Sequence, residues 1–261
     1  MTVLPSAMST PLLSVRNLAL HFGGVHAISD LSLDAFQGEV LAVIGPNGAG
    51  KTSMLNTVTR VFDATAGGIH FKGQDLAQVP RHRIAGLGIA RTFQNIELFE
   101  AASVLDNLLL GRHRFNKGAW WQQVLHTPAV TRLEEASRTE VERVIEFLDL
   151  SPWRNTLVGG LPYGVRKVVE LGRSLCTKPE LLFLDEPASG LNPEETRDLA
   201  FWIDDIRNDL GITVVMVEHD MSLVNAVADR VICMAQGKLL AQGTPEEVQN
   251  HPAVISAYLG S

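Results

Sequence analysis

One eight-residue segment restricts the possible folds of this chain more than any other feature. Residues 45–52 read GPNGAGKT and match the pattern G-x-x-x-x-G-K-[ST]. An apolar run from Glu39 to Ile44 precedes the segment, and a helical pattern from Lys51 to Arg60 follows it. In that context the backbone N–H groups of a glycine-rich turn point at phosphate oxygens. The sequence therefore predicts a phosphate-binding loop between a buried strand and a helix of an α/β fold.

The predicted loop divides its contacts between backbone and side chains. Lys51 supplies positive charge to the terminal phosphates, and Thr52 offers its hydroxyl group to Mg²⁺. A glycine-rich turn without a ligand is the alternative interpretation, and the strand before it and the helix after it argue against that alternative. The residues predicted to bind the nucleotide phosphates are Gly45, Pro46, Asn47, Gly48, Ala49, Gly50, Lys51, Thr52 and Ser53.

Two carboxylates follow a second apolar run. Leu181 to Leu184 reads as a buried strand, and Asp185 and Glu186 come directly after it. The carboxyl ends of parallel strands open onto the ligand crevice of an α/β sheet. We therefore expect Asp185 to hold the Mg²⁺ shell and Glu186 to polarise an attacking water as general base. A solvated strand end is the alternative interpretation.

Composition limits the compartment and the partners. The formal charge is −7 and the pI is about 5.6, so the chain has no broad basic field and we expect no nucleic-acid partner. No apolar run reaches the length of about 18 residues that a membrane helix needs, and the first residues lack the pattern of a signal peptide. Cys176 and Cys233 lie in apolar stretches without metal spacing, which predicts buried thiols.

The pattern of apolar residues changes in the middle of the chain. Strands are predicted for Val15 to Phe22 and for Ile28 to Phe36, whereas helical patterns replace strand patterns from about Val104 to Leu150. Asn192 and Pro193 form a helix start, with a capping side chain before a proline. One predicted helix has an apolar stripe that consists of Leu133, Ala136, Val144, Ile145 and Leu148.

These patterns predict a division of the chain into four segments. Residues 1–12 form a tail, and residues 13–95 form a nucleotide-binding core with an antiparallel β part. Residues 96–164 form a helical subdomain, and residues 165–261 return to the core and end the chain. The alternation of strands and helices in the last segment is typical of an α/β sheet.

Five further segments decide among the many proteins that contain such a loop and such carboxylates. Residues 91–95 read RTFQN around Gln94, and residues 189–192 read SGLN. Residues 161–165 read LPYGV, and a helix is predicted after them, from Arg166 to Cys176. His219 stands in the sequence VEHD, and Phe22 precedes a pair of glycines. In order and spacing these segments resemble the ABC ATPase family along nearly the whole chain. The resemblance implies an ATP-binding cassette with a mixed core sheet, an N-terminal antiparallel β subdomain and an inserted α-helical subdomain.

The resemblance also assigns roles to individual residues. Phe22 stacks on adenine, and Gln94 touches the metal and the water. His219 is the switch histidine that supports Glu186, and the signature residues Tyr163 and Gly164 contact nucleotide. ATP and Mg²⁺ are the implied ligands, and ATP hydrolysis is the implied activity.

Several segments, among them residues 88–95 and the ending Ala257 to Gly260, resemble one branch of the family. It is the branched-chain amino acid importer ATPase branch, LivG-like, with urea and amide importers close by. This branch implies a second ATPase subunit, two membrane permeases and a periplasmic solute-binding protein. It also implies a location on the cytoplasmic face of the bacterial inner membrane. A lipid-exporter ATPase and a non-transport ABC ATPase are the alternatives.

Three features leave questions open. Pro162 replaces the serine of the family signature, and it either weakens that signature or stiffens a helix start. Trp120 and Trp121 either contact a partner or pack within the helical subdomain. The cluster from Arg112 to Arg114 is expected on the solvated surface.

Overall fold

The computed structural model describes residues 10–92, 96–115 and 128–259, and every structural statement concerns these residues. The strands are β1 Leu13–Phe22, β2 Val25–Ala35, β3 Val40–Ile44, β4 Ala66–Phe71, β5 Gln74–Asp75, β6 Ile89–Arg91, β7 Leu181–Asp185, β8 Thr213–Val217, β9 Arg230–Ala235 and β10 Lys238–Gly243. The α-helices are α1 Lys51–Val58, α2 Val104–Gly111, α3 Pro128–Phe147, α4 Tyr163–Leu175, α5 Pro193–Asn208, α6 Met221–Val227, α7 Pro245–Gln249 and α8 Pro252–Leu259.

The amino-terminal strands form an antiparallel layer. β1 pairs with β2 on one side and with β4 on the other, so that Leu13 lies opposite both Ala35 and Phe71. The buried residues Leu13 and Val15 alternate with a partly exposed residue along β1, as in a sheet with one face on a core. This layer continues into the rest of the sheet, whose order is β5-β4-β1-β2-β10-β9-β3-β8-β7-β6.

The second half of the sheet is mixed. β3 pairs in parallel with β8 and β9, and β8, β7 and β6 continue in parallel, whereas β10 runs antiparallel to β9. Every residue of β3, β7 and β8 is buried, because strands covered on both faces are apolar throughout. The predicted α/β fold with a mixed core sheet and an antiparallel part is confirmed.

The register of the parallel strands places three sequence motifs at one edge of the sheet. Val217, the last residue of β8, lies opposite Asp185 on β7, and it also lies opposite Val43 on β3. The chain therefore leaves these three strands at nearly the same level, where β3 leads into the phosphate-binding loop. This edge is the place where ligands bind in open α/β sheets.

The helices α2, α3 and α4 pack together beside the sheet. Their buried residues include Leu108, Val141 and Val169, and these belong to one apolar cluster with Ala42 and Leu182 of the sheet. The predicted inserted helical part is confirmed as a set of helices. The boundaries of this helical part at residues 96 and 164 stay a prediction, because buried residues on both sides of each boundary belong to the same apolar cluster.

The stripe predicted for α3 is partly wrong. Leu133 is 41% exposed and Ala136 is also exposed, whereas Ser137 is buried. The buried face passes from Ser137 through Val141 to Ile145 and Leu148, a regular helical spacing. The prediction was wrong because it assigned only apolar residues to the buried face and therefore left out Ser137.

Helix α4 begins earlier than its sequence suggests. The helix was expected from Arg166 to Cys176, but it starts at Tyr163. Pro162 has an extended ψ of 152°, and its carbonyl accepts the Arg166 N–H at 3.1 Å, so it occupies the capping position.

Three elements near the carboxyl terminus had no prediction, namely β10, α7 and α8.

Arg112 contradicts its predicted place on the surface. Its side chain is buried, and Nη1 donates to the Cys176 carbonyl at 3.0 Å. Its guanidinium carbon lies 3.8 Å from the centroid of the Phe115 ring. Cys176 caps the end of α4, where carbonyl groups lack helical partners, so Arg112 satisfies one of them.

Both cysteines are buried and free, as predicted. Burial raises the pKa of the Cys176 thiol to about 12 and that of the Cys233 thiol to about 11. Among the described residues no helix combines the length and the apolar character that spanning a membrane requires.

We expect the substitution Gly111→Ala to destabilise the packing of α2 on α4. A Cβ atom at Gly111 would collide with the Arg173 carbonyl oxygen and would lie 2.9 Å from the Cys176 Cβ. Overpacking of this kind lowers the free energy of unfolding by about 1 to 3 kcal/mol. Urea denaturation measures the change. The control is Gly86→Ala, because nothing lies within 4 Å of its Cβ position, and equal stability of the two variants would contradict the expectation.

Candidate nucleotide site

The phosphate-binding loop fits closely between two strands. Gly45 has a φ of 148°, and a Cβ there would collide with the Met234 carbonyl of β9. Gly50 has a φ of 99°, and a Cβ there would lie 2.5 Å from the Ala27 carbonyl oxygen of β2. Glycine is therefore required at both positions, for its backbone conformation and for the lack of space.

Lys51 lies buried at the start of α1. Its Nζ donates to the carbonyls of Gly45 at 2.6 Å and of Pro46 at 3.2 Å. Burial lowers the pKa of Lys51, and the nearby carboxylates of Glu186 and Asp185 oppose that shift. The structure thus brings the predicted lysine and both predicted carboxylates together, while Thr52 beside them is exposed.

Asp185 lies at the buried end of β7. One carboxylate oxygen, Oδ2, accepts from Nη2 of Arg91 at 2.7 Å. The other oxygen, Oδ1, is buried and has no hydrogen-bond partner among the described residues. A buried oxygen of this kind fits a magnesium ion, which prefers hard oxygen ligands such as this carboxylate and the Thr52 hydroxyl. The described part of the chain contains no group of three or more His, Cys, Asp or Glu side chains that could hold a metal ion.

Glu186 has an unusual backbone conformation. Its φ is 49°, a left-handed value that is strained for a residue with a side chain, and its N–H donates to the Val217 carbonyl at 2.9 Å. The Nδ1 atom of His219 lies 4.0 Å from Oε1 of Glu186, so the structure brings these two predicted residues together. Both side chains reach solvent, since Glu186 is 19% and His219 is 59% exposed.

Glu218 is a site residue that the sequence reasoning missed. Its carboxylate is fully buried and accepts the backbone N–H groups of Ala188 at 2.8 Å, His219 at 2.7 Å and Asp220 at 3.0 Å. It therefore joins the loop after β7 to the loop after β8. Its position at the end of a buried parallel strand, like that of Asp185, was a signal that could have identified it.

Two further residues near the loops were not predicted as site residues. Lys167 of α4 is nearly buried, its Nζ donates to the Glu186 carbonyl at 3.4 Å, and burial lowers its pKa. Tyr258 of α8 has a pKa raised by burial, and the nearby Gly45 backbone opposes that shift. The carboxyl-terminal helix therefore reaches the phosphate-binding loop.

The predicted signature lies at the amino end of α4. The Tyr163 hydroxyl donates to the Ser189 carbonyl at 3.4 Å, and a Cβ at Gly190 would lie 2.7 Å from the Tyr163 ring. Gly164 packs against the Glu195 carboxylate so closely that a Cβ would collide with it. The first N–H groups of a helix lack helical partners, so this end of α4 can bind an anion.

Phe22 lies at the end of β1, beside the turn into β2. Its ring is 47% exposed and packs edge-on against Phe62, with ring centroids 5.0 Å apart. Ala27, five residues further along the chain, contacts the phosphate-binding loop. Phe22 therefore offers a half-exposed ring at the margin of the site.

Three residues with predicted or open roles cannot be placed. Gln94 lies outside the described residues, and so do Trp120 and Trp121.

Comparisons with known proteins show the family to which the chain belongs. Residues 28–189 match the family described as ABC transporter, and residues 238–261 match the family described as branched-chain amino acid ATP-binding cassette transporter. The high-affinity branched-chain amino acid transport ATP-binding protein LivG of Escherichia coli strain K12 is 40% identical over 253 residues, which cover 97% of this chain and 99% of that protein.

A more distant relative and a solved structure extend the comparison. The probable branched-chain amino acid transport ATP-binding protein LivG of Archaeoglobus fulgidus is 31% identical over 252 residues, 96% of each chain. The crystal structure of the ADP conformation of an ATP-binding cassette from an ABC transporter has a TM-score of 0.84 and 28% identity. That likeness covers 97% of this chain and 100% of the solved one.

We expect Phe22→Ala to weaken nucleotide binding. Loss of a stacked ring should reduce the affinity by about 1 kcal/mol or more, which is roughly a five-fold rise in Kd. Titration with a fluorescent ATP analogue measures the change. Phe201→Ala is the control, because this ring is also exposed but belongs to α5. An affinity that Phe22→Ala leaves unchanged would mean that the ring only packs against Phe62.

Proposed function

Because the chain belongs to the ABC transporter family, we propose that it is the ATP-hydrolysing subunit of an importer for branched-chain amino acids or related small polar solutes such as urea and amides. The observation that carries this proposal is the match of residues 238–261 to the branched-chain amino acid cassettes, together with 40% identity to LivG over nearly the whole chain. These matches favour an importer over a lipid exporter or a non-transport ATPase.

The site residues support a division of labour around bound ATP. Lys51 and the backbone of residues 45–50 bind the phosphates, and Phe22 stacks on the adenine. Thr52 and Asp185, with Gln94, would hold Mg²⁺, which neutralises phosphate charge when bound. The buried Oδ1 atom of Asp185 supports this assignment.

Glu186 is the proposed general base. Its carboxylate lies near solvent at the end of β7, where it can accept a proton from an attacking water. His219 lies 4.0 Å from it and can hold the same water or the terminal phosphate. Glu218 keeps both loops in place through three backbone hydrogen bonds. Hydrolysis then changes the charge in the site and allows it to open.

The family role requires partners. We propose that the chain works with a second ATPase subunit and two permeases on the cytoplasmic face of the inner membrane, and with a periplasmic binding protein. Tyr163 and Gly164 lie at the amino end of α4, where N–H groups lack helical partners, and this supports a signature that faces the nucleotide of the other ATPase. The signature, the phosphate-binding loop and the carboxylates would then form two shared sites.

The importer proposal is tested by reconstitution. The chain is assembled with its permeases and partner ATPase in liposomes, and ATP hydrolysis is measured with binding protein that carries leucine, isoleucine, valine or urea. Stimulation by a loaded binding protein is the expected result. Stimulation by lipid or nucleic acid instead would refute the importer and favour one of the alternatives.

Two substitutions test the chemistry of the site. Lys51→Ala should weaken MgATP binding, and Glu186→Gln should preserve binding but slow hydrolysis by at least ~10²-fold, because a general base is lost. Lys238→Ala and Glu246→Gln are the controls, since both side chains are exposed outside the site. ATP binding with near-normal turnover in Glu186→Gln would remove the assignment of the base.

The proline in the signature predicts unequal sites. Pro162 provides neither a hydroxyl nor an N–H, and one missing donor at a developing phosphate charge costs about 2 to 4 kcal/mol when nothing compensates. We therefore expect Glu186 of this chain, whose site the partner's signature completes, to perform most of the hydrolysis when that signature carries the usual serine. The glutamate-to-glutamine change is placed in one subunit of the complex at a time, and ATP turnover is measured.

Pro162→Ser serves as the matched variant, because it restores a hydroxyl and should raise the share of the other site. Equal losses from the two glutamate changes, or a larger loss from the partner's, would mean that the backbone donors suffice. Pro162 would then be only a cap of α4.

A further inference from the structure

We propose that Arg91 is a positioning residue that fixes the orientation of the Asp185 carboxylate and links it to helix α1. Arg91 is the last residue of β6, and its side chain is 8% exposed. Its Nη2 donates to Oδ2 of Asp185 at 2.7 Å. Its Nη1 donates to Oδ1 of Asn56 at 2.7 Å and to Oγ1 of Thr59 at 3.3 Å, both belonging to or just following α1.

These contacts join the two elements that carry the predicted magnesium ligands. α1 begins with Lys51 and Thr52, and β7 ends with Asp185. A guanidinium group is planar, so its two nitrogens hold their acceptors in a fixed relative position. The position of α1 relative to the carboxylate is therefore set in part by one planar guanidinium group.

The two oxygens of Asp185 have different surroundings because of this contact. Arg91 occupies Oδ2, while Oδ1 is buried without a hydrogen-bond partner among the described residues. The terminal torsion of an aspartate is broad and can turn either oxygen into a site. The bond to Arg91 selects one orientation, in which Oδ1 remains for the metal. A buried ion pair is often no more stabilising than apolar packing of the same volume, so stability alone is a weak reason for this pair.

This inference rests on the proposed function and is tested with Arg91→Lys. Lysine keeps the positive charge near the metal site, but it lacks the planar fork of two nitrogens that holds Asp185 and Asn56 in a fixed relative position. The affinity for a fluorescent ADP analogue is measured in EDTA and in Mg²⁺, and turnover is measured separately. In Arg91→Lys we expect the affinity for the ADP analogue in EDTA to stay within about two-fold of the parent value. The increase in affinity that Mg²⁺ produces, called the gain from Mg²⁺, and the value of kcat should each fall about ten-fold.

Two further variants complete the experiment. Asn56→Ala keeps the ion pair and the longer contact with Thr59 but removes the 2.7 Å contact with α1. It should lower the Mg²⁺-dependent increase in ADP affinity by about three-fold, less than Arg91→Lys does. Arg83→Lys is the control, because this arginine is exposed on the surface, and it should match the parent. Thermal unfolding establishes that each variant is folded.

The possible outcomes distinguish an error in the role of Arg91 from an error in the proposed function. A parent chain that does not bind ADP refutes the proposed function and this inference together. A parent that binds ADP, with an unchanged Mg²⁺ gain and turnover in folded Arg91→Lys, refutes the inference alone. Where Arg91→Lys does not fold, an unchanged Mg²⁺ gain in Asn56→Ala refutes it.

Discussion

The parallel pairing of β3, β7 and β8 is the constraint on which the rest of the molecule depends. Val217 lies opposite both Val43 and Asp185, so three strands end at the same level. A shift of one residue in this register would turn every side chain of a strand to the other face of the sheet. It would move Asp185 away from the phosphate-binding loop and would expose apolar residues. The pairing therefore fixes the core and the site by the same hydrogen bonds.

Buried charged side chains of both signs lie close together at this edge of the sheet, and each sign offsets the other. Lys51, Arg91 and Lys167 are largely buried near the acidic residues Asp185 and Glu218. An isolated charge at such a depth would cost several kcal/mol, and pairing with hydrogen-bonded partners offsets much of that cost. Each cation contacts a backbone carbonyl or a carboxylate, so the group is tolerated without being a source of great stability.

The parts of the fold that follow local rules were predictable. The helix start at Asn192 and Pro193 is present, with the Asn192 side chain accepting two backbone N–H groups. The apolar strands were predictable because complete burial leaves a continuous apolar run. The start of α4 was not predictable, since the sequence does not reveal whether Pro162 caps the helix or precedes it. The short elements after Lys238 lack a strong period, so packing against β9 decides their structure.

The loop, the two carboxylates and the family could all be predicted from the sequence, because the loop and the carboxylates are local motifs and the family follows from the order of such motifs along the chain. Only the tertiary structure decided which buried charges face one another. Arg91 meets Asp185 across 94 positions, and Arg112 meets Cys176 across 64. Neither arginine has a local signal that separates it from a surface arginine. Such contacts arise when the sheet and helices close around a core, because burial then forces each polar group to find a partner.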